Sequence, residues 1–555
     1  MRQVVYFIFC LLLMSVPASY EGNIGARDFA PVLMGVAGFQ SVFFSIICCL
    51  LAKYLGKTVK YGMAFILLLL FIVETYTYIQ FGSRLNSMII SLLLQTNIQE
   101  IKEFFSLYIF SPFTLLFIIL VIAGCWLFYK LDLYCEKRYS FRTGKIIDTI
   151  ILIISICGAY GSIQIVEEGM VPPGKNTIYK LADSWIFYNE KRYDIAEIER
   201  QIDLIKTEKV DSGAPIIVLV IGESFNKYHS SLYGYDLKTN PLLEKRLENK
   251  ELAVFKDVVS PSNGTNYMME YVFSLKSCDR QDDAKRNILF PAVFRKAGYR
   301  VGYFDNQYTQ TSGGNYDFTC CYFLNTHKIS NACFDYRNDT LMNYDGPFID
   351  YYKSKFYRQP RSMNIIHLYG QHLDPRFRFP ESFALFKAKD IKRNDLDEGQ
   401  RQQVADYDNA VLYNDKVMDD IIRCFEQQDA VLIYFSDHGE QIYDDQRLVY
   451  GRKFGEEEPL EAIKCEYEIP FMIWCSKAFQ EQHAMLYKRI MASVDKPFCS
   501  DDIPYLLFDL GGIRSALADS TRSVVHPAFY PRQRKVMDNK VYDKQKADAV
   551  KLLIE

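Results

Sequence analysis

The stretch Ile216-Ile217-Val218-Leu219-Val220-Ile221-Gly222-Glu223-Ser224 decides the fold. Its six consecutive aliphatic residues are too few to span a membrane, and they predict a strand buried on both faces of a parallel sheet. In open α/β sheets, ligands bind at the edge where the strands end. Glu223 and Ser224 therefore lie where a site is expected, and a carboxylate there is costly to bury unless something binds it.

A second run, Ala430-Val431-Leu432-Ile433-Tyr434-Phe435, has the same form and leads into Ser436-Asp437-His438-Gly439-Glu440. Two such strands can bring Glu223, Asp437 and His438 together as ligands of a metal ion. A lone Glu at a strand end is more often a helix cap or a surface charge. The pair of strands favours the metal-site interpretation.

These two stretches also carry a family resemblance. The pattern GESxxxxHSSLYGYxxxTNP runs from Gly222 to Pro241, and SDHGE occupies Ser436 to Glu440. Together they resemble the membrane-bound phosphoethanolamine transferases of the alkaline phosphatase/sulfatase superfamily, and the likeness covers nearly the whole chain. The resemblance implies an N-terminal α-helical transmembrane domain of about five helices and a soluble α/β domain, alkaline phosphatase/sulfatase-like, with a mixed sheet flanked by helices.

The composition agrees with a membrane enzyme, because 15% of the 555 residues are aromatic and only 24% are charged. The formal net charge of −3 does not suggest nucleic-acid binding. Residues 1–166 are hydrophobic in long blocks, whereas the rest is an ordinary globular mixture. We predict a transmembrane domain at 1–166, a linker at 167–213 and a periplasmic catalytic domain at 214–555.

Five hydrophobic blocks lie in the first part of the chain, at Val4–Ala18, Val32–Lys53, Tyr61–Gly82, Pro112–Tyr129 and Ile146–Val166. The last four are long enough, or nearly so, to cross a bilayer as helices. The first is short, so it is either a retained helix or a cleaved signal peptide. Basic residues are concentrated in two of the segments that connect the blocks, 53–60 and 130–145. By the positive-inside rule, both segments are expected in the cytoplasm. Either interpretation of the first block exports residue 167 onward, as expected for a multi-pass protein of the bacterial inner membrane.

The segment 83–111 is amphipathic rather than spanning, and it predicts a helix that lies at the membrane interface. In the family, this segment contributes substrate-facing residues through a Thr and a Glu four positions later. The resemblance assigns these roles to Thr96 and Glu100. Leu92 stands where the family usually has an Asn. The alternative is that Thr96 and Glu100 belong to a polar face in water.

Ser260-Pro261-Ser262-Asn263-Gly264-Thr265-Asn266 resembles the family segment whose Thr attacks the donor phosphate, which makes Thr265 the candidate nucleophile. On its own, this Thr would more often be a helix cap, and Ser224 is a rival nucleophile. The resemblance further implies that Glu223, Thr265, Asp437 and His438 hold one zinc ion. A second metal ion is left open.

His367-Leu368-Tyr369-Gly370-Gln371-His372 resembles the family's HxxGxH motif, whose second His contacts the transferred group. We assign His372 to binding of the donor or leaving group, and His367 to structural support. Asp305-Asn306-Gln307 follows a predicted strand and is a further candidate at the rim of the site.

Many members that act on lipid A have a further His-Gly after the DHGE segment. Here Tyr450-Gly451-Arg452-Lys453-Phe454-Gly455 takes its place. Arg452 or Lys453 is therefore the candidate for binding phosphate.

Disulfides are permitted if the second part of the chain lies outside the cytoplasm. Spacing does not fix a pairing, and buried free thiols are an equal alternative. The cysteines concerned are Cys278, Cys320, Cys321, Cys333, Cys424, Cys465, Cys475 and Cys499.

By resemblance, the donor is phosphatidylethanolamine, and Thr265 takes its phosphoethanolamine group before passing it to a lipopolysaccharide acceptor, either lipid A or a core sugar. One alternative is a membrane-anchored hydrolase or glycerol-phosphate transferase of the same superfamily. Another is a catalytically decayed membrane sensor, but the retention of all four ligand residues argues against decay. The sequence leaves the acceptor open.

Overall fold

A computed structural model of the protein describes most of the C-terminal part of the chain and two long helices of the N-terminal part. The described residues are 6–10, 12–13, 45, 48, 55–81, 112–138, 196–280, 287–307, 324, 326–372, 374–452, 459–536 and 540–544. The chain separates into an N-terminal unit that extends to Lys191 and a C-terminal unit that begins at Arg192. The predicted limits of the linker, 167 and 213, stay predictions.

The N-terminal unit contains helices α1 (Lys57–Phe81) and α2 (Pro112–Arg138). Each includes a segment that is long and apolar enough to cross a membrane, Thr58–Tyr78 in the first helix and Thr114–Leu131 in the second. They correspond to the third and fourth predicted blocks. A total of five spanning helices stays a prediction, because the second block (apart from residues 45 and 48), the fifth block and the interfacial segment with Thr96 and Glu100 lie outside the described residues.

Eleven strands are described in the C-terminal unit. They are β1 (Ile216–Gly222), β2 (Leu252–Phe255), β3 (Val258–Val259), β4 (Arg300–Asp305), β5 (Tyr336–Arg337), β6 (Ser362–His367), β7 (Ala430–Ser436), β8 (Phe471–Cys475), β9 (Phe498–Cys499), β10 (Lys535–Val536) and β11 (Lys540–Val541). Seven of them form one sheet in the order β2-β8-β7-β1-β6-β4-β5, while β3 pairs with β9 and β10 with β11. Because β8 runs antiparallel to both of its neighbours and the other pairings are parallel, the large sheet is mixed, as predicted.

Ten of the described helices of this unit lie between strands in the chain. They are α3 (Pro241–Glu248), α4 (Thr265–Phe273), α5 (Phe290–Ala297), α6 (His327–Cys333), α7 (Asp345–Tyr352), α8 (Glu398–Arg423), α9 (Leu460–Tyr467), α10 (Lys477–Gln482), α11 (Ala484–Met491) and α12 (Ile503–Leu510). The longest, α8, begins with a capping box in which Asp397 accepts from the Gln400 N–H, while the Gln400 side chain accepts from the Asp397 N–H.

The two faces of the sheet bury two separate cores. Alternate residues of β1 point to opposite faces, so Ile217, Leu219 and Ile221 pack in one core with side chains of α4, α5 and α12. The intervening residues Ile216, Val218 and Val220 pack in the other core with side chains of α7 and α8. Every residue of β1 is buried, which explains why its sequence shows an unbroken apolar run instead of alternation.

Candidate active site

The register of the sheet decides which loops meet. β1 pairs in parallel with β7, and Gly222 lies opposite Ser436. Because the two strands end at the same level, Glu223 on one side and Asp437 with His438 on the other extend beyond the same edge of the sheet. β6 flanks β1 on its other side, with His367 opposite Ile221, and it delivers the loop that contains His372 to the same edge.

Glu223, Asp437 and His438 form one group of ligand atoms, all within 4.8 Å of one another. The Nε2 atom of His438 lies 3.3 Å from Glu223 Oε1 and 3.2 Å from Asp437 Oδ2. All three side chains are fully buried. The structure therefore brings together the three strand-end residues that the sequence proposed as ligands.

Thr265 is the first residue of α4, and its side chain reaches the same group of ligand atoms from that helix. Its hydroxyl lies 3.1 Å from Glu223 Oε2, to which it donates, and 3.2 Å from His438 Nε2. Gly264 is the N-cap residue of this helix, so the Thr265 side chain is not used as a cap. The hydroxyl instead faces the ligand group.

The group fits a single divalent ion. A tetrahedral ion with bonds of about 2.0 Å separates its ligand atoms by about 3.3 Å. The four distances given above, from 3.1 to 3.3 Å, are close to that value. Asp437 Oδ2 is buried and has no hydrogen-bond partner among the described residues. His438 Nδ1 donates to the Gly439 carbonyl at 2.8 Å, which leaves the lone pair of Nε2 facing the group.

The charges of the group also favour a cation. Burial and the nearby charge of Glu223 raise the pKa of Asp437 to about 6. Burial acts to raise the pKa of Glu223 as well, but the hydrogen bond and the charge of a protonated His438 outweigh it and hold that pKa well below its usual value. An ion bound at His438 Nε2 would take the place of that proton. Two buried carboxylates this close repel each other, and a bound cation relieves that repulsion.

Ser224, the rival nucleophile, supports Glu223 instead. Its hydroxyl is fully buried and donates to Glu223 Oε1 at 2.8 Å. Its backbone is left-handed, with φ of 55°, which is uncommon for a residue other than glycine. Unlike Thr265, it does not begin a helix.

Gln307, from the predicted rim segment, reaches the same carboxylate. Its Nε2 donates to Glu223 Oε2 at 3.1 Å and lies 3.0 Å from His367 Nε2. The other ring nitrogen of His367 lies 3.1 Å from Asp305 Oδ1. His367 therefore lies next to the amide that contacts Glu223, and its supporting role stays a prediction.

The loop that carries His372 lies against Glu223. Gly370 has φ of 54°, and a Cβ atom at this position would come within 2.7 Å of the Glu223 carbonyl oxygen, so only glycine fits. Nδ1 of His372 is shielded from solvent and has no partner among the described residues. Burial lowers the pKa of His372 to about 4, which keeps the ring neutral at pH 7.

Arg452 places a permanent positive charge beside the ligand group. Its Nη1 lies 2.8 Å from His438 Nε2 and also donates to the Asn263 carbonyl, two residues before Thr265. Its Nε lies 3.4 Å from the Glu440 carboxylate. Of the two basic residues that the sequence proposed for phosphate binding, Arg452 is at the site, and Lys453 lies outside the described residues.

One buried residue that supports the site was missed in the sequence. Asp345, at the start of α7, accepts hydrogen bonds from the Tyr369 N–H at 2.8 Å and the Gly370 N–H at 3.0 Å. It thereby holds the loop that leads to His372. No motif marks this residue, and only its position at the start of a helix suggests that it is more than a surface charge.

None of the described cysteines of the C-terminal unit is in a disulfide. The free thiols are those of Cys278, Cys333, Cys424, Cys465, Cys475 and Cys499. Cys320 and Cys321 lie outside the described residues.

Comparison with known proteins identifies the family of the chain. Residues 215–513 match the sulfatase family. Phosphoethanolamine transferase EptC of Escherichia coli (strain K12) is 25% identical, and the alignment covers 94% of this chain and 91% of the relative.

Two solved structures are also similar. The integral membrane protein lipooligosaccharide phosphoethanolamine transferase A (EptA) from Neisseria meningitidis shares the fold, with a TM-score of 0.63 and 18% identity over 94% of this chain and 97% of that chain. The C-terminal periplasmic domain of EptC from Escherichia coli, in complex with Zn, has a TM-score of 0.51 and 26% identity over 61% of this chain and 95% of that chain. The chain belongs to the sulfatase family, and it is similar to phosphoethanolamine transferases of Escherichia coli and Neisseria meningitidis.

Proposed function

We propose that the protein transfers phosphoethanolamine from phosphatidylethanolamine to a lipopolysaccharide acceptor, with Thr265 as the nucleophile. Glu223, Thr265, Asp437 and His438 would hold one zinc ion. The observation that carries the proposal is the position of the Thr265 hydroxyl, which begins α4 and lies within 3.2 Å of both Glu223 and His438. A hydroxyl with only a structural role would not need to lie next to both a buried carboxylate and a buried imidazole.

The surroundings of Thr265 suit attack on a phosphodiester. Zinc bound here would lower the pKa of the hydroxyl and neutralise charge on the phosphoryl oxygens. The N–H groups of the first turn and the positive dipole end of α4 favour a phosphate at the same place. Arg452 and the neutral His372 would bind the transferred group from the other sides. By family resemblance, Thr96 and Glu100 would contact the donor at the membrane.

The transfer would proceed in two balanced steps. In the first, Thr265 Oγ1 forms a bond to phosphorus, the bond from phosphorus to the glycerol oxygen breaks, and diacylglycerol leaves with the proton. In the second, an acceptor hydroxyl attacks the same phosphorus, and Thr265 leaves and regains its proton. Two steps suit two bulky amphiphiles, because each step positions only one lipid.

Incubation of the purified protein with phosphatidylethanolamine and lipopolysaccharide tests this function. We expect diacylglycerol and an acceptor that carries phosphoethanolamine. Free phosphoethanolamine without a modified acceptor would indicate a hydrolase. Glycerol phosphate on the acceptor would indicate a glycerol-phosphate transferase. If the zinc-loaded protein turns over no donor, the alternative of a catalytically decayed membrane sensor would be favoured.

Arg452 gives a more specific prediction. Replacing it with Gln should lower kcat about 10²- to 10³-fold, because a positive charge beside the transferred phosphoryl group is lost. Arg452→Lys should recover part of the rate, since it retains the charge without the planar donors. Arg447, which pairs with Asp445 in the same part of the chain, supplies the control, and Arg447→Gln should stay within about twofold of the wild type. Equal loss in both variants would contradict phosphate binding by Arg452.

We further propose that the protein lies in the bacterial inner membrane with its catalytic domain in the periplasm. A reporter fused after Glu555 should then be active only outside the cytoplasm. A reporter fused after Arg138, where α2 ends in a basic connection, should be active inside. A cytoplasmic signal from the first fusion would overturn this topology.

A further inference from the structure

His229, from the HSSLYGY part of the first motif, is buried between two carboxylates that belong to different elements. Its Nδ1 lies 2.7 Å from Asp408 Oδ1, on α8. Its Nε2 lies 3.4 Å from Asp444 Oδ1, in the loop that follows β7. The imidazole thus bridges two parts of the chain, and it is not one of the proposed ligands.

Neighbouring side chains tie the same parts together. The Asn226 side-chain nitrogen donates to the Glu440 carbonyl at 2.8 Å and to Asp444 Oδ2 at 2.9 Å. The Asn226 N–H donates to the Tyr407 hydroxyl, which in turn donates to the Ser224 carbonyl. Asn226, His229, Tyr407, Asp408 and Asp444 are called the loop bridge below.

The loop bridge joins the two loops that carry the ligand group. One loop follows β1 and contains Glu223, three residues before Asn226. The other loop follows β7 and contains Asp437 and His438. Asp444, further along this loop, connects it to Asn226 and His229. Since the ligand atoms come from both loops, their separation depends on how these loops are held to each other.

Both ring nitrogens of His229 face an acceptor, and this arrangement suits an imidazolium. Burial acts to lower the pKa of His229, but Asp408 and Asp444 outweigh it and raise that pKa to about 10. The Tyr235 hydroxyl also donates to Asp408, at 2.9 Å. A charged ring has one N–H on each of two separate atoms, whereas a Gln side chain has a single donor nitrogen and cannot bridge both carboxylates in the same way.

We propose that His229 is a positioning residue which, by bridging Asp408 and Asp444, sets the distance between the Glu223 loop and the Asp437–His438 loop. This inference rests on the proposed metal site. Removing the bridge leaves every ligand in place but loosens their arrangement, so the affinity for the ion falls. Residues that orient metal ligands without touching the ion typically change metal affinity 10- to 100-fold.

The chain offers a matched control at the opposite end of β7. His483 Nε2 lies 2.9 Å from Asp429 Oδ2, and Asp429 immediately precedes the first residue of the strand. This is another His–Asp pair of the same unit, but it is at the edge of the sheet away from the ligand group. Its loss should affect folding without changing the ligand spacing.

The test measures zinc affinity of the full-length protein in detergent by competition with a chelator. His229→Gln should bind zinc about 10- to 100-fold more weakly than the wild type, and His483→Gln should stay within twofold. The double variant His229→Gln/Asp408→Asn also removes the buried negative charge on α8 that loses its imidazolium partner in the single variant. It should therefore regain part of the thermal stability lost in His229→Gln, while its zinc affinity stays low.

Three results would overturn the inference while leaving the metal site intact: wild-type affinity in His229→Gln, an equal loss in His483→Gln, or recovery of affinity together with stability in the double variant. Each would show that His229 acts only on folding. A wild-type protein that binds no zinc would contradict the metal site itself, and this inference with it.

Discussion

Cells that carry Thr265→Ala in place of the intact protein should lose the phosphoethanolamine-modified glycolipid from their envelope. Removing a catalytic nucleophile typically lowers kcat by at least about 10⁴-fold. The fold should survive, because Thr265 begins α4 without serving as its cap and Ala is favourable in a helix. Mass spectrometry of the envelope lipids reports the transferred group and the acceptor together.

Two further variants make this result specific. Thr265→Ser keeps a hydroxyl at the start of α4 and should retain part of the activity. Ser224→Ala removes a hydrogen bond to Glu223 and should reduce activity far less than Thr265→Ala. Full modification of the envelope in Thr265→Ala, or loss confined to Ser224→Ala, would move the nucleophile away from Thr265.

The second large effect concerns the metal. We expect about one zinc per chain in the purified protein, and Glu223→Ala, Asp437→Ala and His438→Ala should each lose most of it. The loss should exceed the 10- to 100-fold that residues outside the ligand set cause, because a missing ligand also leaves the remaining buried charges unpaired. Metal analysis of the purified variants measures this directly.

Asp429→Asn is the control for these variants, since Asp429 lies at the other end of β7 from Asp437. It should keep the zinc content of the wild type. Treatment with a chelator should abolish transfer by the wild-type protein, and added zinc should restore it. Full zinc occupancy in all three ligand variants would show that the site lies elsewhere.

The central strands could be predicted from the sequence because both of their faces are buried. The runs at Ile216–Ile221 and Ala430–Phe435 are confirmed as β1 and β7, each extending one residue further. Shorter apolar runs in the sequence also favour strands at 301–304, 364–368 and 471–474, and these overlap β4, β6 and β8. Strands such as β3 and β5 have only two residues, which is too short for a periodic pattern.

The candidate site could be predicted only in part, for a similar reason. Glu223, Asp437 and His438 each follow a recognisable strand, so the sequence places them at one edge of the sheet. Asp345 and His229 act through partners far away in the chain, and neither lies next to an apolar run. Their roles depend on the sheet order and on the packing of α7 and α8, which a single sequence does not give.

The most direct test of the central claim is a search for the covalent intermediate on Thr265. The full-length protein is incubated with phosphatidylethanolamine in the absence of any acceptor, and its peptides are then mapped by mass. The peptide that contains Thr265 should carry phosphoethanolamine, and diacylglycerol should be released in equal amount. An adduct on the peptide that contains Ser224, or transfer to an added acceptor by Thr265→Ala, would contradict the account.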